Sequence, residues 1–463
     1  MTNATKKEIP GLSLWTLAWP IFLELFLQTL LGMVDTFMVS QISDDAVAVV
    51  GISNQLFGTL TTLFTTFAGG AGILIAQRIG SGRNTEARAL AVQGVSISTL
   101  LGIAVSIGLF AAPGFFGGML GISADLKELS NSYIGYVGGS LFLVGMSISL
   151  GTAIRNKGNT KSPMLTGVFV NILHIVLNYV FIFGAGGLPE LGLTGVALSN
   201  AISRGIGVIV LFILFRKTFI PSVRLKDFAS LNGRLLKEIL QIAWPLGINS
   251  FSWVFSQLLV YTFLARLGSV ALAARTYLNT LESFCFTLGY AVAMAGQIRT
   301  AHLFGAGKTR EAYSGAYRTL GIGLAIVTTN MFFIYLFGKP LLGLFSKDAN
   351  ILRLAYSILG LNLLLQPAKM LNMAMGNSLN AIGDTTYTMV TSLVSMSLIG
   401  VGGSYLAGIT FAGGLHGIYL CMIADELVRG ILVLCRWRGQ KLLRVREAQE
   451  RPDKGSRGAF LQA

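Results

Sequence analysis

The chain alternates long apolar stretches with short polar ones about a dozen times, near 14–40, 47–76, 90–112, 131–153, 163–185, 193–216, 238–265, 271–302, 319–343, 352–379, 387–410 and 415–436. A helix needs roughly 20 such residues to cross a bilayer, so each stretch predicts a spanning helix, several of them long enough to tilt. The alternating segments of about 10 residues that build a membrane barrel are not the pattern here. In the first stretch the polar residues are confined to one side. At about 100° per residue, Pro20, Glu24, Gln28 and Asp35 share a face, with Gly32 beside them. A carboxylate facing lipid costs a few kcal/mol or more, so that face is expected to look into a bundle or a watery cavity. Asp35 is the expected working group. Pro20 removes a backbone hydrogen bond and crowds the turn before it, which makes it the expected hinge of a helix that moves.

The pattern also repeats. Shifted by 225 residues, Ala18-Trp19-Pro20 falls on Ala243-Trp244-Pro245, Gly80 to Ala87 on Gly305 to Ala312, and Gly158 to Met164 on Gly383 to Met389. Near the end the offset becomes 222, with Gly192 to Leu198 on Gly414 to Leu420. The expected fold is an all-α polytopic membrane protein of twelve transmembrane helices in two pseudo-symmetric six-helix lobes. The expected boundaries are 1–220 and 238–438, with a basic linker at 221–237 and a charged, disordered tail at 439–463. Six is an even number, so the two lobes share one orientation and the axis between them runs along the membrane normal. That is the plan of a carrier that rocks two lobes about a central site.

Composition agrees: 53% of the 463 residues are apolar and 12% are charged. A soluble domain carries about twice that charge fraction. The net charge of +15 invites a nucleic-acid reading, but its distribution excludes one. Sixteen Lys and Arg, from Arg78 to Arg318, stand in loops after even-numbered spans, against Lys127, Arg266, Lys339, Lys347 and Arg353 on the other side. This positive-inside asymmetry places both termini in the cytoplasm. Residues 1–13 lead directly into a span, without the small-residue cleavage site of a signal peptide. Cys285, Cys421 and Cys435 all fall within spans and imply no disulfide framework. Gly307-Lys308-Thr309 resembles the end of a phosphate-binding loop, but His302 stands where that motif needs glycine, and a membrane helix precedes it. The expected structure is a glycine helix stop followed by an amphipathic stretch starting at Thr85 or Thr309. With no ATPase module and no enzyme motif, pumping would draw on an ion gradient.

Depth along the helices brings further polar groups to the level of Asp35. Asn178 on the fifth span and Asn200 on the sixth lie, like Asp35, roughly 8–10 Å below the outer edge. His174 and Asn171 follow Asn178 at helical spacing, and Arg204 is one turn below Asn200. Glu24 and Gln28 are expected to line a cavity. In the second half, Arg275, Asn279 and Glu282 face Asn362, Gln366 and Lys369 across the eighth and tenth spans, and Lys369 is expected to pair with Glu282. Asp425, Glu426 and Arg429 on the last span are expected to balance one another. Adaptable apolar side chains such as Phe64, Phe67, Met146 and Trp253 suit a pocket for varied shapes.

These features together resemble the multidrug and toxic compound extrusion (MATE) transporters. The resemblance rests on Pro20, on Gly32-Met-Val-Asp35-Thr-Phe-Met-Val39, and on the loops Arg78 to Asn84 and Ser378 to Thr385. It covers residues 14–437, and the first-helix acid is similar to that of the DinF-type branch. It implies a bacterial inner-membrane protein, monomeric and without a cofactor, that exports lipophilic cationic small molecules against H⁺ or Na⁺. That family sets an Asn and an Asp on the fifth span and a Thr on the sixth; this chain has His174 and Asn178, with Asn200 the nearest polar group on the sixth. One carboxylate in place of two weakens a Na⁺ site, so protons are the favoured coupling ion. Where other branches carry acids on spans seven and ten, Trp253 and Lys369 stand, which disfavours a second cation or metal site. The alternative from another class is a flippase for lipid-linked precursors or polysaccharides, which would need a basic groove; Arg204, Arg275, Lys369 and Arg429 are the few basic groups away from the loops.

Overall fold

The computed structural model describes residues 13–187, 189–219, 223–224, 227–228 and 232–439. The tail from 440, and residues 221–222, 225–226 and 229–231 of the linker expected between the halves, lie outside the described residues. Among the described residues there are helices and short connections, and no strand. The longer helices are α1 (Leu14–Ser40), α2 (Asp44–Gly80), α3 (Asn84–Ala111), α5 (Lys127–Gly139), α6 (Leu141–Asn156), α7 (Lys161–Phe183) and α8 (Gly192–Thr218) in the first half. The second half has α9 (Gly233–Arg266), α10 (Ser269–Gly305), α11 (Thr309–Leu336), α13 (Ala349–Ala381), α14 (Thr385–Ser395) and α15 (Gly414–Arg438). Short helices α4 (Pro113–Met119) and α12 (Gly338–Gly343) precede the fourth and tenth spans. The fourth span breaks at Ser140, between α5 and α6, where Gly138 and Gly139 weaken the helix and Ser140 Oγ donates to Val137 O at 2.8 Å. Span eleven runs from α14 into π-helical turns at Met396–Gly403 and Leu406–Thr410.

Among the described residues, ten segments are long and apolar enough to span a membrane by length and composition alone. The other two spanning helices are α10 and α15, whose apolar character is diluted by charged residues that pair inside the protein. Glu282 on α10 lies 2.9 Å from Arg275 of the same helix and 3.2 Å from Lys369 of α13. On α15, Arg429 lies 2.5 Å from Asp425 and 2.9 Å from Glu426. Mutual pairing is what lets such residues sit inside a bilayer.

The repeat reappears in backbone geometry. Gly82 and Gly307 take left-handed φ values of 77° and 73°. After each, an amide reaches back five residues, Arg83 N to Arg78 O and Lys308 N to Leu303 O, both at 2.9 Å. These are glycine helix stops, and α3 and α11 start directly behind them as spanning helices. Gly158 and Gly383, at 103° and 93°, do the same for α6 and α13, with Asn159 N to Ile154 O at 3.3 Å and Asp384 N to Leu379 O at 3.0 Å. The change of offset falls in the connection before the last span of each half, residues 184–191 in the first and 411–413 in the second.

Two compact units result. One holds the described residues up to Ile79 together with Arg83–Gly247; the other holds Gly80–Gly82 and the described residues from Ile248 on, so the division falls within α9. The first unit has two apolar cores, one around Leu90, Leu150, Phe215 and Ile239, the other around Val49, Phe64, Ile134 and Val196. The second is built around Leu264, Leu278, Ile358 and Ile418.

Candidate functional site

In the first unit, α1 is tied to its neighbours at three levels. The innermost belongs to Pro20, which is buried inside an otherwise continuous α1. A proline cannot bond the carbonyl four residues before it, here that of Thr16. That oxygen accepts instead from the Thr160 hydroxyl at 3.3 Å, at the start of α7. One turn further out, Arg155 Nη1 at the end of α6 donates to both carboxylate oxygens of Glu24 at 2.7 Å. Both side chains are about one-sixth exposed, at 15% and 16%. Glu24 is therefore held in an ion pair and is not simple cavity lining; Gly167 of α7 leaves it room, a Cβ there lying 3.7 Å from Glu24 Cγ. Gln28 is exposed between the second and third levels.

The third level is Asp35. Its Oδ1 accepts from Asn178 Nδ2 at 2.9 Å and faces His174 Nε2 at 3.0 Å. Both partners come from α7, spaced by one turn, and both are buried, with 3% of His174 and none of Asn178 exposed. The Asp35 side chain keeps 27% exposure. Behind this pair stands α8: Ser199 Oγ donates to Asn178 Oδ1 and lies 3.3 Å from His174 Nδ1, while Ser203 Oγ lies 3.4 Å from the same nitrogen. The two ends of the imidazole thus face different groups, carboxylate on one side and hydroxyls on the other.

The sixth-span contribution corrects the sequence reading. Asn200 does not join Asp35; its amide donates to Val196 O of its own helix at 3.4 Å. Ser199 takes that place because of how α8 packs. Gly195, Ser199, Ser203 and Gly207 recur every fourth residue and form a stripe of small side chains against α7. A Cβ on Gly195 would fall 2.7 Å from Phe181 O, and one on Gly207 2.6 Å from Val170 Cγ2. Small residues at that spacing let membrane helices approach closely. The close approach turns Ser199 and Ser203 toward His174 and turns Asn200 away; the stripe was readable in the sequence as a four-residue period of Gly and Ser. Arg204 does not pair with Asp35 either and has no ion pair among the described residues, although it and Tyr133 of α5 stand within electrostatic range of the carboxylate.

In the second unit, Glu282 and Lys369 meet as expected, but in a larger cluster. Arg275 Nη1 donates to Glu282 Oε1 at 2.9 Å and to Tyr419 Oη at 2.6 Å, and Tyr419 Oη donates to Glu282 Oε1 at 2.8 Å. Glu282 is 3% exposed and is held as a buried ion-pair partner. Asn372 Nδ2 donates to Glu426 at 2.9 Å and Ser395 Oγ to Asp425 at 2.6 Å. Trp253 is 46% exposed on α9.

A sequence profile described as MatE matches the chain twice, at residues 20–180 and 245–406, two copies that begin 225 residues apart. An uncharacterized transporter of Bacillus subtilis, YisQ, is 33% identical over 92% of this chain and 94% of its own length. A probable multidrug resistance protein, NorM of Thermotoga maritima, is 26% identical over 93% of each chain. Among solved structures, a MATE crystallised in the bent conformation superposes with a TM-score of 0.86 over 94% of this chain and 96% of that one, at 20% identity.

Proposed function

Because the chain belongs to the MatE family, whose members are membrane transporters and not enzymes, we propose that it exports lipophilic cations across a bacterial inner membrane in exchange for protons. Asp35 is the coupling group and α1 the moving element. Both termini face the cytoplasm in this reading, which the excess of Lys and Arg in the loops after even-numbered spans supports. The multidrug resistance in the name of the Thermotoga relative supports export of drugs.

The observation that carries this reading is the set of groups around Asp35 Oδ1. Its two neighbours present nitrogen, Asn178 Nδ2 and His174 Nε2, and the Asn178 oxygen is taken by Ser199. A Na⁺ ion wants several hard oxygens, which this set does not turn toward the carboxylate. A proton needs no such cage. As a carboxylate, Asp35 accepts from Asn178 and from His174 carrying its proton on Nε2. As a carboxylic acid it has a proton to donate, which His174 Nε2 can accept once the ring proton sits on Nδ1 opposite the serine hydroxyls. The two protonation states of Asp35 therefore favour different hydrogen bonds, and that difference can bias two shapes of α1. Pro20 lies 15 residues, about four turns, inward of Asp35.

The test is efflux of a fluorescent lipophilic cation from vesicles under an imposed pH gradient, with and without Na⁺. Wild type is expected to respond to the pH gradient alone. Asp35→Asn is expected to lose that response, and Asn at 35 with undiminished, equally pH-dependent efflux would end the proposal.

A further inference from the structure

The buried cluster of the second unit takes no part in the coupling site, and two of its hydrogen-bond donors are left open. Arg275 of α10 is 2% exposed. Its Nη1 serves Glu282 and Tyr419, while its Nε has no hydrogen-bond partner among the described residues. Asn362 of α13 is fully buried. Its Oδ1 accepts from Gln366 Nε2 at 3.2 Å, and its Nδ2 has no partner among the described residues. A guanidinium offers donors alone, and so does the open end of the Asn362 amide. Buried donors normally find an acceptor, and within a bilayer there is no bulk water to supply one.

Helix register sets the two donors at one level. A single spanning helix, α11, separates α10 from α13, so those two run in the same direction. Glu282 and Lys369 meet across them, 87 residues apart. Seven residues earlier on each helix, about two turns, stand Arg275 and Asn362, with the same separation. Residues seven apart share one face of a helix, so Asn362 is turned toward α10 as Lys369 is. Charge points the same way. Arg275 and Lys369 share the Glu282 carboxylate, at 2.9 and 3.2 Å, and neither has another acidic partner among the described residues. The cluster therefore holds one positive charge more than it balances. The triad on α15 has the opposite surplus, Asp425 and Glu426 against Arg429, but it meets α13 at Asn372. That is ten residues, or about 15 Å, along the helix from Asn362.

We infer that Arg275 Nε and Asn362 Nδ2 together hold a small monovalent anion, of the charge and size of a halide such as chloride. A halide accepts from both donors without demanding a fixed direction, and it balances the surplus charge of the cluster. A water molecule also accepts from both, but it has hydrogens of its own to place and leaves that charge where it is. The surroundings disfavour anything bulky: Leu278, Ile358, Leu359 and Leu365, which flank the two donors along their helices, are wholly buried in the apolar core of the unit. The site lies in the second unit and does not depend on the coupling role proposed for Asp35.

The experiment follows heat unfolding of the full chain, purified in detergent, at fixed pH and ionic strength while sodium gluconate is replaced by sodium chloride or bromide. Both halides are expected to raise the unfolding midpoint along a saturating curve, because a ligand bound by the folded chain alone stabilises it as the site fills. Asn362→Asp keeps the Oδ1 that Gln366 uses and fixes a negative charge where the halide would sit. It is expected to unfold no lower than wild type does in gluconate, and to show no halide response. Asn362→Ala removes one of the two donors and is expected to need about tenfold more chloride for half of the wild-type shift. A wild-type midpoint indifferent to both halides would overturn the site and leave the donors to an ordered water. A halide response undiminished in either variant would place the anion elsewhere and overturn it as well. Should neither variant fold, Arg275→Lys, which keeps the charge and removes Nε, must lose the response, and a response it keeps in full is equally fatal.

Discussion

At the scale of single residues, the site around Asp35 turns on two side chains one position apart. Ser199 holds the Asn178 carbonyl and faces His174, whereas Asn200 bonds within its own helix. Ser199→Ala leaves a buried amide oxygen without its donor, which costs about 1–3 kcal/mol, and removes a hydroxyl opposite the imidazole. The expected outcome is a displaced pH profile of efflux at unchanged membrane abundance. Asn200→Ala is expected to keep the wild-type profile. Measured side by side, the pair tests the assignment: equal effects would show that α8 is not rotated as described. Asp35, His174 and Asn178 were legible because helical spacing and depth are both properties of a single helix. For the serines the sequence held only the four-residue period of Gly and Ser from Gly195 to Gly207, which marks a packing face but does not say which neighbour each hydroxyl meets.

At the scale of elements, what sequence reading could place was set by whether a feature is local. Spans, glycine stops and the repeat depend on residues near one another in the chain, and Gly82 and Gly307 take almost the same φ. The pairing of Glu24 with Arg155 depends on knowing that α1 lies against the end of α6, and nothing local announces it. The same holds for Thr160, which satisfies the carbonyl that Pro20 leaves open. Thr160→Val keeps the shape and removes the hydroxyl. It should therefore cost about 1–3 kcal/mol at the hinge, with faster amide exchange in the first turns of α1 as the readout and no change in the turns around Asp35. Gly195→Val is the complementary test of α8. Its side chain would meet the Phe181 carbonyl, at 2.7 Å from the first added carbon, so the helices must separate. The expected result is a loss of pH response as complete as that of Asp35→Asn, with Asp35 itself intact.

At the scale of the molecule, the region between the halves is more than a basic tether. Asp227 bonds the Arg88 side chain of α3 and accepts from Arg224 N at 2.9 Å. Ser96 donates to Phe228 O at 3.1 Å, and Asn232 N donates to Gln93 Oε1 at 3.1 Å. Three sites on α3 thus clasp the chain as it leaves the first six spans. The Arg224 amide, and then the Arg88 guanidinium, hold the Asp227 carboxyl below its ordinary value. A carboxylate whose folded value is depressed contributes stability that is fully present above its unfolded value, near 3.9, and is lost as pH falls through the folded one. The clasp is therefore expected to be indifferent to pH from 5 to 8 and to loosen only in strong acid. Asp227→Asn removes the charge at every pH. Limited proteolysis between α8 and α9 at pH 7 is expected to run severalfold faster in that variant than in wild type, and wild type is expected to show the same rate at pH 5.5 as at pH 7.5. A wild-type rate that differs between those two values would mean that a group other than Asp227 holds the linker. Unchanged cleavage in Asp227→Asn would mean that the clasp is held by Ser96, Gln93 and the Phe228 ring against Phe212 and Phe215 alone.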